Sequence, residues 1–142
     1  MNLSEIITIS GKPGLYKLIS KGKNNFIVES LIDKKRIPAF THDGISSLDN
    51  IAIYTINEEV ALSDIFEAIY KKENGDLVPD IMKDTNRMKD YFVEVLPEYD
   101  QERVFPNSIK KILNWYNILN SNNLIGLPSA VETQEPEEDN SL

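Results

Sequence analysis

Residues 9–31 have the sequence ISGKPGLYKLISKGKNNFIVESL, which predicts two strands joined by a polar turn. Side chains alternate between the two faces of a strand, so we expect Leu15 and Ile19 on one face and Leu18 on the other. Residues 21–25 tolerate the backbone conformations that reverse a chain. The residues after them return with β-branched and aromatic side chains, which strands favour. The stretch therefore predicts a long antiparallel hairpin.

Shorter strand patterns follow this hairpin, and turn signals separate them. Pro38 lacks an amide hydrogen, so its strand should lie at a sheet edge or carry a bulge. One long hairpin followed by several short strands, with a helical turn before the last, favours a small barrel of the SH3-like type. The predicted short strands are residues 36–40, 51–55 and 60–62, and the helical turn is residues 45–50.

Three helices are predicted after the strands. The hydroxyl of Ser63 can cap the first helix. Asp84 or Thr85 opens the second helix, and the third begins with a cap just behind Pro106 and runs to about Asn120. The apolar stripe of the third helix consists of Ile109, Ile112, Leu113, Tyr116 and Leu119.

These elements predict an α+β protein in four segments. An SH3-like barrel with its helix occupies residues 1–75, and residues 76–83 form a linker. A helical domain occupies residues 84–124. The remaining residues, 125–142, have the composition of a disordered acidic tail.

The composition restricts the possible classes of protein. A chain of 142 residues, 41% of them hydrophobic, can bury the core of one ordinary domain or of two small ones. It has no cysteine, which excludes a disulfide scaffold and cysteine-ligated zinc and fits a reducing compartment. The first residues lack the features of a signal peptide, and no apolar run is long enough to span a bilayer. We therefore expect a cytoplasmic protein with no membrane contact.

Charge is distributed unevenly along the chain. The net charge is −8, and residues 129–142 supply −5 of it through five acids and no base. Residues 12–36 carry seven bases against two acids, which gives +5. Such a segment can bind nucleic acid, although lysines also protect exposed sheet edges from pairing. The candidate nucleic-acid-binding residues are Lys12, Lys17, Lys21, Lys23, Lys34, Lys35 and Arg36 of this segment, with Lys110 and Lys111 of the third helix.

A protein partner is the competing hypothesis. Trp115 and Ile118 flank the apolar stripe of the third helix, and together with Tyr116 they would form a patch suited to burial by a partner. The acidic tail could bind a basic partner or cover the basic hairpin of the same chain. The sequence leaves open whether the partner is a nucleic acid or a protein, and it leaves the oligomeric state open.

Signals of catalysis are weak in this sequence. His42 is the only histidine, so one chain cannot form a two-histidine metal site. His42 and Asp43 are adjacent, and adjacent side chains rarely point together as a catalytic pair must. We therefore expect a non-catalytic binding or adaptor protein without cofactor or metal, with regulation as one hypothesis. An enzyme whose site forms at a subunit interface is the remaining alternative.

Four segments resemble a known family, and the strings GKPGLYKL and IKKILNWYNIL carry the resemblance most specifically. The family is a Bacteroidota family of the domain of unknown function 5606 type, with a C-terminal helical domain. The resemblance covers residues 1–119 and implies a β-rich piece followed by a helical piece in a bacterial cytoplasmic protein. It implies no activity, cofactor or binding residue. The segments are IITISGKPGLYKLISKGKNNFIVESL (6–31), KKRIPAF (34–40), ISSLDNIAIYT (45–55) and VLPEYDQERVFPNSIKKILNWYNIL (95–119).

Overall fold

A computed structural model describes residues 3–125 of the chain. The predicted α+β class is confirmed, because within these residues seven strands precede three helices. The predicted acidic tail lies outside the described residues from residue 126 onwards. The strands are β1 (Ile6–Ile9), β2 (Lys12–Lys21), β3 (Asn25–Ser30), β4 (Arg36–Phe40), β5 (Ile45–Ser47), β6 (Ala52–Tyr54) and β7 (Glu59–Ala61), and the helices are α1 (Leu62–Lys72), α2 (Thr85–Val95) and α3 (Pro106–Ser121).

Five of these strands form one antiparallel sheet in the order β4-β3-β2-β1-β5, and β6 pairs with β7 in a separate ribbon. The predicted hairpin is present as β2 and β3, with Leu18 opposite Val28. Pro38 lies on β4 at an edge of the sheet, as predicted. The described sheet is not closed into a barrel, because β4 and β5 form its two edges. The SH3-like type is therefore not confirmed.

A bulge in β2 interrupts the predicted alternation of side chains. The register with β3 shifts between Leu18 and Ser20, so that Ile19 is an extra residue. The alternation holds up to that point, since Leu15 packs in the main core and Leu18 packs against a second cluster on the other face. The predicted alternation therefore ends at Leu18.

Both faces of the five-stranded sheet carry buried apolar side chains. One face contributes Ile6 and Leu15 to the main core. The other buries Val28 and Ala39, which are 0% and 1% exposed, in a second cluster made of strand residues. The apolar side chains on that face therefore pack against one another across neighbouring strands. The other members of the second cluster are Ile7 and Ile9, with Tyr16, Leu18, Phe26, Ile37 and Ile45 packed against them.

The main core joins the strands, the helices and the segment predicted as a linker. Phe92 of α2 and Tyr116 of α3 are both fully buried in it. Val78 and Ile81, which belong to residues 76–83, are buried in the same cluster. This segment therefore packs with residues of both predicted units.

Two of the three helix starts differ from the prediction. α1 begins at Leu62, so Ser63 lies inside the helix and does not cap it. α3 begins at Pro106 itself, because the fixed φ of proline suits a first turn and its missing amide hydrogen has no partner to lose there. α2 begins as predicted. The Asp84 carboxylate accepts a hydrogen bond of 3.1 Å from the amide of Arg87.

Candidate functional site

A cleft of about 440 Å³ lies between the β1–β2 turn and α3. Residues 8–14 form its first wall, and α3 forms its second wall from Lys111 to Ile118. Gly44 and Ser46, at the beginning of β5, complete the lining. The cleft therefore brings together the two strings that carry the family resemblance, although they are far apart in the sequence.

An irregular stretch of β2 shapes the first wall. β2 places three residues, 13–15, opposite Thr8 of β1, which is a bulge. Gly14 in this bulge has a φ of +84°, a left-handed conformation that glycine adopts without strain. A Cβ at this position would lie 2.7 Å from Cδ1 of Ile32. The bulge thus departs from the regular ladder at the residues that line the cleft.

A close contact between Ser10 and Gly44 holds the rim of the cleft. The amide of Ser10 donates a hydrogen bond of 3.0 Å to the carbonyl oxygen of Gly44. A Cβ on Gly44 would lie 2.9 Å from Oγ of Ser10, and its φ of +75° also favours glycine. The turn and the start of β5 are therefore joined, with the hydroxyl-bearing residues Ser10 and Ser46 both in the lining.

One face of α3 forms the second wall. Lys111, Asn114, Trp115 and Ile118 are spaced by three and four residues, which places them on one face of a helix. Lys111 and Asn114 are exposed, and Trp115 and Ile118 are partly buried. The prediction that Tyr116 contributes to a surface patch is wrong. It is 0% exposed, because it lies on the stripe that faces the main core.

The cleft is cationic and polar although the chain as a whole is acidic. Lys12 and Lys111 supply one ammonium group from each wall, and Trp115 adds a flat aromatic surface between polar groups. No acidic residue lines the cleft within the described part of the chain. Ammonium groups bind phosphate or carboxylate oxygens, and an indole stacks on a flat ring. The remaining polar side chains of the lining are Thr8, Ser10, Ser46 and Asn114.

The other predicted basic residues lie outside this cleft. Lys17 is opposite Glu29, and Glu29 forms an ion pair of 3.0 Å with Arg36. One acid therefore offsets part of the charge of two bases. Lys34 donates a hydrogen bond to the side-chain oxygen of Asn122, just beyond the end of α3. The remaining predicted bases are all exposed and are Lys21, Lys23, Lys35 and Lys110.

His42 also lies outside the cleft, and its side chain is 80% exposed. Its Nε2 is 3.5 Å from Oδ1 of Asp43. The other carboxylate oxygen of Asp43 accepts a hydrogen bond of 2.8 Å from the amide of Phe40, and the ring of Phe40 stacks on His42 at a centroid distance of 5.7 Å. These contacts secure the turn after β4.

Metal-binding and membrane-spanning arrangements are not found in residues 3–125. No three histidine, cysteine, aspartate or glutamate residues in this part of the chain form a group that could hold a metal ion. None of the helices described is both long and apolar enough to cross a bilayer.

Sequence reasoning named the main groups of the cleft but placed them in separate hypotheses. Lys12 belonged to the basic hairpin, Lys111 to a polar helix face and Trp115 to an aromatic patch. Ser10 and Ser46 were not predicted as site residues. One signal could have joined these residues, because the two strings that carry the resemblance most specifically are the ones that line the cleft.

Comparisons with known proteins confirm the family resemblance that the sequence indicated. The family profile of a domain of unknown function, DUF5606, matches residues 3–48, and that of a second domain of unknown function, DUF6852, matches residues 51–119. A solution NMR structure of a Bacteroides vulgatus protein from the Northeast Structural Genomics Consortium is 46% identical, with a TM-score of 0.74. The alignment covers 96% of this chain and 99% of that chain. No curated protein matches the chain.

Proposed function

The chain belongs to the Bacteroidota family defined by DUF5606 and DUF6852, and we propose that it is a non-catalytic protein that binds single-stranded nucleic acid in the cleft. The observation that carries this proposal is the grouping of Lys12, Lys111 and Trp115 around one cavity without an acidic lining residue in the described part of the chain. Lysines contact backbone phosphates, and an indole stacks on a base of any identity.

The size and composition of the cleft favour single strands over duplexes. A volume of about 440 Å³ lies within the usual range of small-ligand sites, which suits one or two nucleotides. A duplex hides the faces of its bases in the stack, whereas a single strand offers them to Trp115. The chain has only three arginines, the residue that most often reads guanine edges. We therefore propose binding with little sequence preference.

The global charge limits the expected affinity. With a net charge of −8, the chain repels a polyanion at long range, and only the local lysines attract it. Binding should therefore be modest and should weaken steeply as salt increases. The proposal includes a cytoplasmic location and a regulatory or adaptor role. The absence of cysteine supports the cytoplasmic location.

A protein partner is the second candidate. Trp115 and Ile118 are partly exposed beside Pro13 in the same cleft, so an apolar side chain of a partner could be buried there. The two candidates differ in their dependence on salt, since a mainly apolar contact is not weakened by added salt.

Fluorescence anisotropy with labelled single-stranded RNA, single-stranded DNA and duplex DNA, measured over a range of salt concentrations, tests the proposal. We expect the single strands to bind more tightly than the duplex. In the full-length protein, Lys12→Glu with Lys111→Glu should weaken binding about tenfold or more. It should also reduce the slope of log affinity against log salt by about 1.4, because two phosphate contacts are lost.

The matched control is Lys21→Glu with Lys23→Glu, which makes the same change of charge at the β2–β3 turn. It should weaken binding less than the cleft variant, since only long-range attraction changes. Equal losses in the two variants would contradict a site in the cleft. Absence of binding to all three probes at low salt would refute the nucleic-acid function and favour the protein partner.

A further inference from the structure

A second depression lies on α3 next to the cleft. Its volume is about 280 Å³, and it shares Ile118 with the cleft. Leu31 and Ile32 give it an apolar floor, and Asn122 lies at its far end, just beyond α3. Because the two depressions share this residue, they adjoin each other on α3, and we call the route over them from Asn122 back to Lys111 the path. No acidic residue lines either depression within the described part of the chain.

The sequence beyond Ile125 matches this path in order and in charge. Residues 127–131, LPSAV, are mostly apolar, and residues 132–139, ETQEPEED, carry five acids. Along the path the apolar floor comes first, and the lysines of the cleft come second. A chain that runs back along α3 would therefore place its apolar part over Ile32 and its acidic part beside Lys111.

The length of this segment is sufficient for such a path. Lys111 precedes Ser121 by ten positions, which is about 15 Å along a helix. Glu132 follows Ile125 by seven positions, which is about 23 Å of extended chain. The acidic residues can therefore reach Lys111, and Lys12 lines the same cleft from its other wall.

We propose that residues 126–142 dock along α3 and occupy the cleft, with the apolar part against Leu31 and Ile32 and the acidic part against Lys111 and Lys12. The carboxylates would then take the places of nucleic-acid phosphates. The segment competes with nucleic acid and lowers its apparent affinity. This regulation rests on the proposed function, whereas the docking itself does not.

Paramagnetic relaxation enhancement in the full-length protein tests the docking without any nucleic acid. The chain has no cysteine, so Thr133→Cys provides a single attachment point for a nitroxide label and leaves the charge of the segment unchanged. We expect the amide signals of Gly14, Lys111 and Asn114 to broaden. The signals of Lys21 and Lys23 should keep their intensity. The same sample after reduction of the nitroxide provides the diamagnetic reference.

The matched control is the same labelled chain with the four glutamates of residues 126–142 replaced by glutamine. The substitutions are Glu132→Gln, Glu135→Gln, Glu137→Gln and Glu138→Gln. It should show weaker broadening at the cleft, because the attraction to the lysines is lost. Unbroadened cleft signals in the labelled protein would overturn the docking. Equal broadening at the cleft and at Lys21 would also overturn it, since it would mean that the segment has no preferred position.

The regulatory part has its own readout. The unlabelled chain with the four glutamines should bind single-stranded nucleic acid several-fold more tightly than the unchanged protein. An unchanged affinity would contradict the competition. Docking without binding of nucleic acid by either protein would refute the proposed function and leave the docking intact. Binding of nucleic acid without docking of the segment would refute the docking and leave the proposed function intact.

Discussion

The hydroxyl of Tyr116 donates a hydrogen bond of 2.9 Å to the backbone carbonyl oxygen of Asp76. This bond fastens α3 to the segment that follows α1. Two more bonds join the same elements, from the amide of Val78 to the side-chain oxygen of Asn117 and from the side chain of Asn120 to the carbonyl oxygen of Gly75. The wall of the cleft that α3 provides is therefore held by contacts on its opposite face.

Tyr116→Phe should lower the free energy of unfolding by about 1 kcal/mol, because one hydrogen bond of a buried hydroxyl is lost and the ring remains. Urea denaturation followed by circular dichroism measures the change. Tyr54→Phe is the control, since the side chain of Tyr54 is 41% exposed, and it should change stability by less than about 0.5 kcal/mol. Equal effects of the two substitutions would show that the Asp76 bond does not contribute.

Tyr116 should also make the protein less stable at alkaline pH. Burial, and next the charge of Glu73, raise the pKa of Tyr116 to about 12. Tyrosine in an unfolded chain has a pKa of about 10, so the folded state holds this proton more tightly. The contribution is fully present below pH 10 and is lost as the pH rises towards 12.

The midpoint of urea denaturation, measured at pH 9 and at pH 11, tests whether stability falls as the pH rises. The unchanged protein should lose more stability between the two values than Tyr116→Phe does. A second tyrosine contributes in the same direction, since burial, a hydrogen bond to Glu73 and its charge raise the pKa of Tyr91. An equal loss in the unchanged protein and in Tyr116→Phe would rule out the contribution of Tyr116.

Gly14→Ala and Gly11→Ala form a matched pair in the first wall of the cleft. Both glycines have a positive φ, +84° and +80°, so each alanine should cost about 1 kcal/mol of stability. A Cβ at Gly14 would also meet the end of the Ile32 side chain, but Ile32 is 63% exposed and can rotate away. We therefore expect the two losses to agree within about 0.5 kcal/mol. A much larger loss for Gly14→Ala would show that Ile32 is held in place.

The cap of α2 gives a further prediction. Asp84→Ala removes the carboxylate that accepts the amide of Arg87 and should lower stability by about 1 kcal/mol. Asp84→Asn keeps an oxygen acceptor at this position and should retain most of the stability. Thermal denaturation of the three proteins compares them. A similar loss for both variants would point to the charge of Asp84 instead of the hydrogen bond.

The elements of the fold could be predicted wherever local chemistry determines them. The hairpin of β2 and β3, the edge position of Pro38 and the cap Asp84 all follow from residues close together in the sequence. The start of α3 was placed slightly too late because Pro106 can either precede a helix or begin it. The bulges at Ile19 and Gly14 were not predicted, since they arise from pairing with neighbouring strands.

The cleft could not be predicted, because it depends on contacts distant in sequence. Its first wall spans the end of β1 and the beginning of β2, and its second wall is nearly 100 residues later. Trp115 and Tyr116 are adjacent, and the apolar pattern placed Tyr116 on the buried stripe of α3 and Trp115 on its flank. The structure confirms this assignment, since Tyr116 is completely buried and Trp115 is partly exposed. The predicted surface patch was wrong because it included Tyr116, a residue of the buried stripe.

The fluorescence of Trp115 tests the central claim most directly, because it is the only tryptophan in the chain and it lines the cleft. Unlabelled single-stranded RNA should be added to the full-length protein at low salt, and the emission followed to saturation. The account predicts a saturable quenching that added salt reverses and that Lys12→Glu with Lys111→Glu weakens. An unchanged emission at RNA concentrations that saturate the anisotropy signal would place the binding elsewhere on the protein and contradict the account.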